Sequence, residues 1–89
     1  MSCVYILHSR STSRFYVGSS RMGSAEGRLK SHNSGKTRST KAGRPWSLIY
    51  EEQCSDYTDA RRKENYLKSG VGRKWIKEKF REWRDGRVA

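Results

Sequence analysis

The chain has 89 residues, with 20 Lys and Arg against 9 Asp and Glu, for a formal net charge of +11. That length supports one core and no second lobe, so residues 1–84 read as a single domain and 85–89 as a frayed tail. The charge predicts an anionic partner, first of all nucleic acid with its repeating phosphates, and the lack of a long apolar run disfavours a membrane.

Met1 to Leu7 is apolar but has no preceding basic region and no small-residue cleavage site. The expectation is an intracellular protein, cytoplasmic or nucleoid-associated. Residues 3–7 and 15–18 are rich in β-branched and aromatic types and flank a polar stretch, which predicts a β-hairpin. With the pairing in phase, Val4 and Ile6 face one side with Phe15 and Val17. Tyr5 and Tyr16 then meet on the other side.

Gly23 to Ser34 reads as a short helix with Ala25 and Leu29 as its core stripe and Asn33-Ser34-Gly35 as its stop. Arg28 and His32, four apart, project from one edge of it. Residues 35–45 read as a polar loop in which Lys36, Arg38, Lys41 and Arg44 track phosphates, ordering when the ligand arrives. A third strand, 46–52, would carry Trp46, Leu48 and Tyr50 on one face. Cys3 and Cys54 fit neither zinc-ligand spacing nor a disulfide framework and read as reduced bystanders.

The next helix holds the most informative residue. At ~100° per residue, Tyr57, Ala60, Glu64, Leu67 and Val71 share one face, so a carboxylate points at the body of the protein. Such a group needs a cation, a metal or a proton to offset lost hydration. A structural ion pair with an arginine would satisfy it as well as a metal would. Ser55 or Asp56 is the expected cap, and Ser69-Gly70-Val71-Gly72 the expected stop. The last helix, about 73–84, carries Ile76, Phe80 and Trp83 as a packing stripe.

Tyr5, Tyr16, Arg28, His32, Glu64 and the basic loop do not suit a core, and together they suit phosphodiester cleavage. That reaction needs an activated nucleophile, a cation near the charge that builds on phosphorus, and help for the leaving oxygen. A carboxylate can hold Mg²⁺ together with phosphate oxygens and waters. A guanidinium forks onto a non-bridging oxygen. A tyrosine, with an ordinary pKa of about 10, becomes a base where cations favour its phenolate.

Cys3-Val4-Tyr5, Tyr16-Val17-Gly18, the Arg28…His32 pair, Ala60 to Lys68 with Glu64 inside it, and Gly72-Arg73 occur in the order of the GIY-YIG nuclease motifs. The chain resembles that family, and most of all its small stand-alone bacterial members. Cys3 replaces the usual glycine, and Val4 and Val17 the usual isoleucines, at strand positions where such changes cost little. Trp75 and Ile76 stand where some members have an asparagine.

The resemblance implies an α+β fold, a three-stranded antiparallel sheet flanked by helices. It also implies hydrolysis of DNA, with RNA as the alternative, using one Mg²⁺ or Mn²⁺ ion. Tyr5 would be the general base or orient the water, and Tyr16 would contact phosphate or water. Arg28 would stabilise the phosphorane, His32 would tune the tyrosine, and Glu64 would bind the metal. No separate element for reading sequence is evident, so cutting should be structure-selective or weakly sequence-selective, unless a protein partner supplies targeting. The rival readings are a non-catalytic basic nucleic-acid-binding domain of the same fold, and a small protein that docks on an acidic partner or ribosomal RNA.

Overall fold

The computed structural model describes residues 1–81. The central strand β1 (Ser2–Ser9) is buried at all eight positions, which a strand achieves only when the sheet is covered on both faces. It pairs antiparallel with β2 (Phe15–Ser20) on one side and β3 (Trp46–Cys54) on the other, giving the order β2-β1-β3. Helix α1 (Glu26–Asn33) and a 3-10 segment, Arg38–Gly43, cover one face. Helices α2 (Tyr57–Lys68) and α3 (Gly70–Lys79) cover the other. This is the expected α+β arrangement.

Alternation along β1 sorts the core into two halves. Cys3, Tyr5 and Leu7 join Ala25, Leu29, Trp46 and Leu48 under α1. Val4 and Ile6 join Val17, Ala60, Leu67, Ile76 and Phe80 under α2 and α3. The hairpin register sets Ile6 opposite Val17, Tyr5 opposite Gly18 and Leu7 opposite Tyr16, so both tyrosines lie on the α1 face as their phase predicts.

Strand β3 departs from its expected pattern. A register shift between Ile6 and Leu7 moves their β3 partners from Tyr50 to Leu48, so Ile49 is the extra residue of a bulge. Trp46 and Leu48 therefore stay under α1, while Tyr50 packs with the opposite core half. Simple alternation would put all three on one face.

Helix α2 begins at Asp56, whose carboxylate accepts from the Asp59 amide at 2.8 Å, and it buries Ala60, Glu64 and Leu67. Val71 corrects the projected stripe, for it is 65% exposed. The expected stop is a one-residue corner: Ser69 ends α2 and caps α3, its Oγ accepting from the Gly72 amide at 3.3 Å. A side chain at Gly72 would collide with the main chain of Tyr66 and Leu67, so only glycine lets the helices meet this closely. α3 thus starts earlier than the expected residue 73 and buries Ile76, with Phe80 buried just beyond it. Trp83, the end of the expected helix and the 85–89 tail lie outside the described residues.

The 35–45 segment is more ordered than a polar loop. Asn33 grips Trp46 twice, donating from Nδ2 to its carbonyl at 3.1 Å and accepting from its amide at 2.6 Å. The Trp46 indole N–H donates to the Thr40 carbonyl at 2.7 Å. Thr40 is fully buried. A segment expected to be solvated thus folds back to close the α1 side of the core. Among the described residues no helix is long and apolar enough to cross a membrane.

Candidate active site

Four of the five expected site residues meet on the α1 face. Tyr5 projects from the central strand across Gly18 of the edge strand, where a Cβ would lie 2.5 Å from the Tyr5 hydroxyl and 3.0 Å from the Tyr16 ring. Gly18 therefore serves by having no side chain. Helix α1 carries Arg28 and His32 one turn apart over this spot. Arg28 Nε lies 3.4 Å from the Tyr5 hydroxyl and donates to it, and His32 Nε2 lies 3.1 Å from the same oxygen. The His32 ring also packs against Tyr16, centroid to centroid 4.7 Å.

Burial shapes the proton affinities here. Tyr5, 1% exposed, has its phenol pushed above the ordinary value by desolvation, with the Arg28 hydrogen bond and charge pulling the other way. His32, fully buried, is pushed below its ordinary value by desolvation first and by the Arg28 charge second. The imidazole is therefore the neutral form, able to accept a proton. Its Nδ1 is 2.8 Å from Thr40 Oγ.

Glu64 approaches from the α2 face. Its carboxylate is 6% exposed at the residue level and is held at both oxygens. Oε1 accepts from Ser19 Oγ at 2.5 Å, with Arg61 Nε 4.0 Å away. Oε2 accepts from Lys68 Nζ at 2.6 Å. Burial alone would raise its pKa, but the hydrogen bonds from Lys68 and Ser19, with the charges of Lys68 and Arg61, hold it below the usual value. The carboxylate is thus ionised and already draws a cation. Gly18, against which Tyr5 sits, and Ser19, which holds Glu64, are neighbours in β2, so the two groups flank the same stretch of the edge strand.

This chemistry bears on a metal. Among the described residues no group of three or more His, Cys, Asp or Glu stands together as a metal cage. A single ionised carboxylate fits Mg²⁺, which keeps its waters and takes one or two carboxylates with phosphate oxygens. Lys68 would have to yield its place on Oε2.

The expected phosphate-tracking residues Lys36, Arg38, Lys41 and Arg44 are all exposed, and Arg44 Nε is turned back onto the Lys41 carbonyl at 2.9 Å. A second basic feature has no signature in the linear sequence. Arg14, Lys68, Arg73 and Lys77 rim a hollow of about 520 Å³ whose floor is Phe15, Val17, Leu67 and Ile76. Among the described residues no carboxylate lines it. It opens beside the site, because Lys68 belongs to both, reaching Glu64 and standing 6.0 Å from the Tyr16 ring. Ser19 and Thr40 are equally silent in the sequence, since each acts only through a partner distant along the chain.

Comparison with known proteins agrees with this geometry. The GIY-YIG catalytic domain model matches residues 1–79. No curated protein and no solved structure matches the chain. With its three-stranded sheet, its paired tyrosines and a match over nearly its whole length, the chain belongs to the GIY-YIG family, whose members are endonucleases.

Proposed function

We propose that the protein is a divalent-metal-dependent endonuclease that hydrolyses phosphodiester bonds in DNA, with structural or weak sequence selectivity. The observation that carries this reading is the Tyr5 hydroxyl, held between a guanidinium and a neutral imidazole and within electrostatic reach of the ionised Glu64. Tyr5 takes a proton from the attacking water. Arg28 is exposed and its 3.4 Å contact to Tyr5 is long, so an incoming phosphate can draw the guanidinium outward and uncover the phenol. Arg28 then neutralises charge on the phosphorane. Tyr16 contacts phosphate or water, and Glu64 would hold Mg²⁺, or Mn²⁺ in its place. The ion, when bound, polarises a phosphate oxygen and offsets developing charge.

The test is a nicking assay with Mg²⁺ and with chelator, on linear, nicked, flap and junction DNA and on matching RNA. Cleavage should require the metal and favour some of the DNA structures. Salt-dependent binding without cleavage of any substrate would instead establish the non-catalytic binder.

The basic hollow supplies the path for the strand leaving the site, with cations for phosphates and an apolar floor for sugars or bases. Changing Arg14, Arg73 and Lys77 together to glutamine should flatten the slope of log affinity against log salt by about 0.9 for each duplex phosphate no longer bound. If only the change of Lys36, Arg38, Lys41 and Arg44 moves that slope, the strand runs over the 3-10 segment instead.

A further inference from the structure

We propose that Thr40 is a positioning residue: it fixes His32 as the Nδ1–H tautomer, leaving Nε2 as the acceptor for the Tyr5 hydroxyl proton. The tautomer rests on the hydrogen bonds around His32 and Tyr5; its catalytic consequence rests on the nuclease reading above.

The protons can be placed one at a time. The Thr40 hydroxyl carries a single proton and lies 3.2 Å from the Thr37 carbonyl, which can only accept. The Thr37 carbonyl also accepts the Thr40 amide at 3.2 Å. With the hydroxyl proton directed to the same oxygen, Thr40 Oγ faces His32 Nδ1 at 2.8 Å as an acceptor and Nδ1 carries the ring proton. Tyr5 decides between this direction and its reverse. Nε2 is then a bare lone pair, 3.1 Å from the Tyr5 oxygen. Tyr5 donates to it and in turn accepts from Arg28 Nε at 3.4 Å. Along this path the Arg28 Nε–H, the Tyr5 and Thr40 hydroxyls and His32 Nδ1–H each have an acceptor.

The reverse direction fails at Tyr5. If Thr40 donated to Nδ1, Nε2–H would point at the Tyr5 oxygen together with Arg28 Nε–H. The phenol's own proton would then have no acceptor among the described residues, in a side chain only 1% exposed. A buried donor left unmade costs about 1–3 kcal/mol, which favours the first direction.

The reaction balances. The Tyr5 O–H bond breaks and an Nε2–H bond forms, converting neutral phenol and imidazole into phenolate and imidazolium. With Arg28 drawn onto the phosphate, the phenolate takes a proton from water as the water oxygen bonds to phosphorus. The P–O bond to the leaving sugar oxygen breaks, that oxygen takes up a proton from solvent, and the imidazolium returns its own proton to solvent. Burial raises the phenol and lowers the imidazole, so the transfer is uphill and proceeds only as the phenolate takes up the water proton, with a lone pair already aimed at Tyr5. His32 can serve only if its lone pair faces Tyr5, and that orientation is what the Thr40 hydroxyl determines. The same threonine binds the 3-10 segment through its carbonyl to Trp46, so the substitution must spare the backbone.

Thr40→Val keeps the shape and removes the hydroxyl, while Thr40→Ser restores it. The chain has two histidines, so the ¹⁵N NMR signals of His32 are assigned by comparison with His32→Gln. Wild type and Thr40→Ser should show protonated Nδ1 and bare Nε2. Thr40→Val should move the ring towards the Nε2–H form and lower nicking about 10- to 100-fold, by analogy with the loss seen when a partner that orients a metal-ligating histidine is removed. Thr40→Ser should cut within a fewfold of wild type. An Nε2–H tautomer in the wild type, or an unchanged tautomer in Thr40→Val, overturns the proposal. So does full nicking by a Thr40→Val protein whose tautomer has changed. If the wild type cuts nothing, the nuclease reading fails, and the NMR result still decides whether Thr40 sets the tautomer.

Discussion

Glu64→Gln should leave the protein folded and abolish metal-dependent nicking. The amide keeps the size of the carboxylate and can still accept from Ser19, which holds Oε1 at 2.5 Å. What disappears is the negative charge, and with it the pair to Lys68 at 2.6 Å, whose side chain is 47% exposed. Discounted for that exposure, the pair contributes about 1 kcal/mol or less, so the melting temperature should shift by only a few degrees. The catalytic loss should be far larger. Removing the carboxylate proposed to hold a divalent ion should forfeit about 4 kcal/mol of transition-state stabilisation, about a thousandfold in rate. Binding to DNA at low salt should persist or strengthen slightly, since the change removes a negative charge. Parallel melts, gel-shift titrations and nicking assays read all three quantities. A variant that nicks at the wild-type rate would remove Glu64 from the mechanism.

The second large effect is expected from a single methyl group. Gly18→Ala places a Cβ 2.5 Å from the Tyr5 hydroxyl, too close for both to stay. The ring cannot swing away freely, because its hydroxyl is tied to His32 and Arg28 and its body is packed in the core. Overpacking of this kind costs about 1–3 kcal/mol. Displacing the phenol by even ~1 Å costs about a hundredfold in rate. Gly27, in the exposed part of α1, has open space within 4 Å of where a Cβ would stand. Gly27→Ala should therefore be neutral or gain up to about 1 kcal/mol from helix propensity. Thermal melts and nicking rates of the two variants make the comparison, and equal behaviour would show that Tyr5 is not seated against Gly18.

Local periodicity makes a large part of this legible from the chain. The inward Glu64, the shared face of Tyr5 and Tyr16, and the Arg28 and His32 pair all follow from counting positions along one helix or one hairpin. What escapes depends on distant partners. The bulge at Ile49 is invisible to alternation, because it reflects how β3 fits β1 rather than its own composition. Val71 falls off its stripe because Gly72 lets α3 turn against Tyr66 and Leu67. Thr40 looks like one more polar residue in a basic loop, and only Asn33 and Trp46 show why that loop folds inward. The hollow between Arg14 and Lys77 draws on β2, α2 and α3 and their surroundings, residues that no local window brings together.

Strand β2 forms one rim of the sheet and has a single neighbour, yet both halves of the site lean on it. Sliding it by one residue would reverse every side chain: Tyr16 would leave His32, Ser19 would leave Glu64, and Val17 or Ser19 would replace Gly18 opposite Tyr5. Under the proposed function, a newly made chain would become competent to cut only once its hairpin had closed in this alignment.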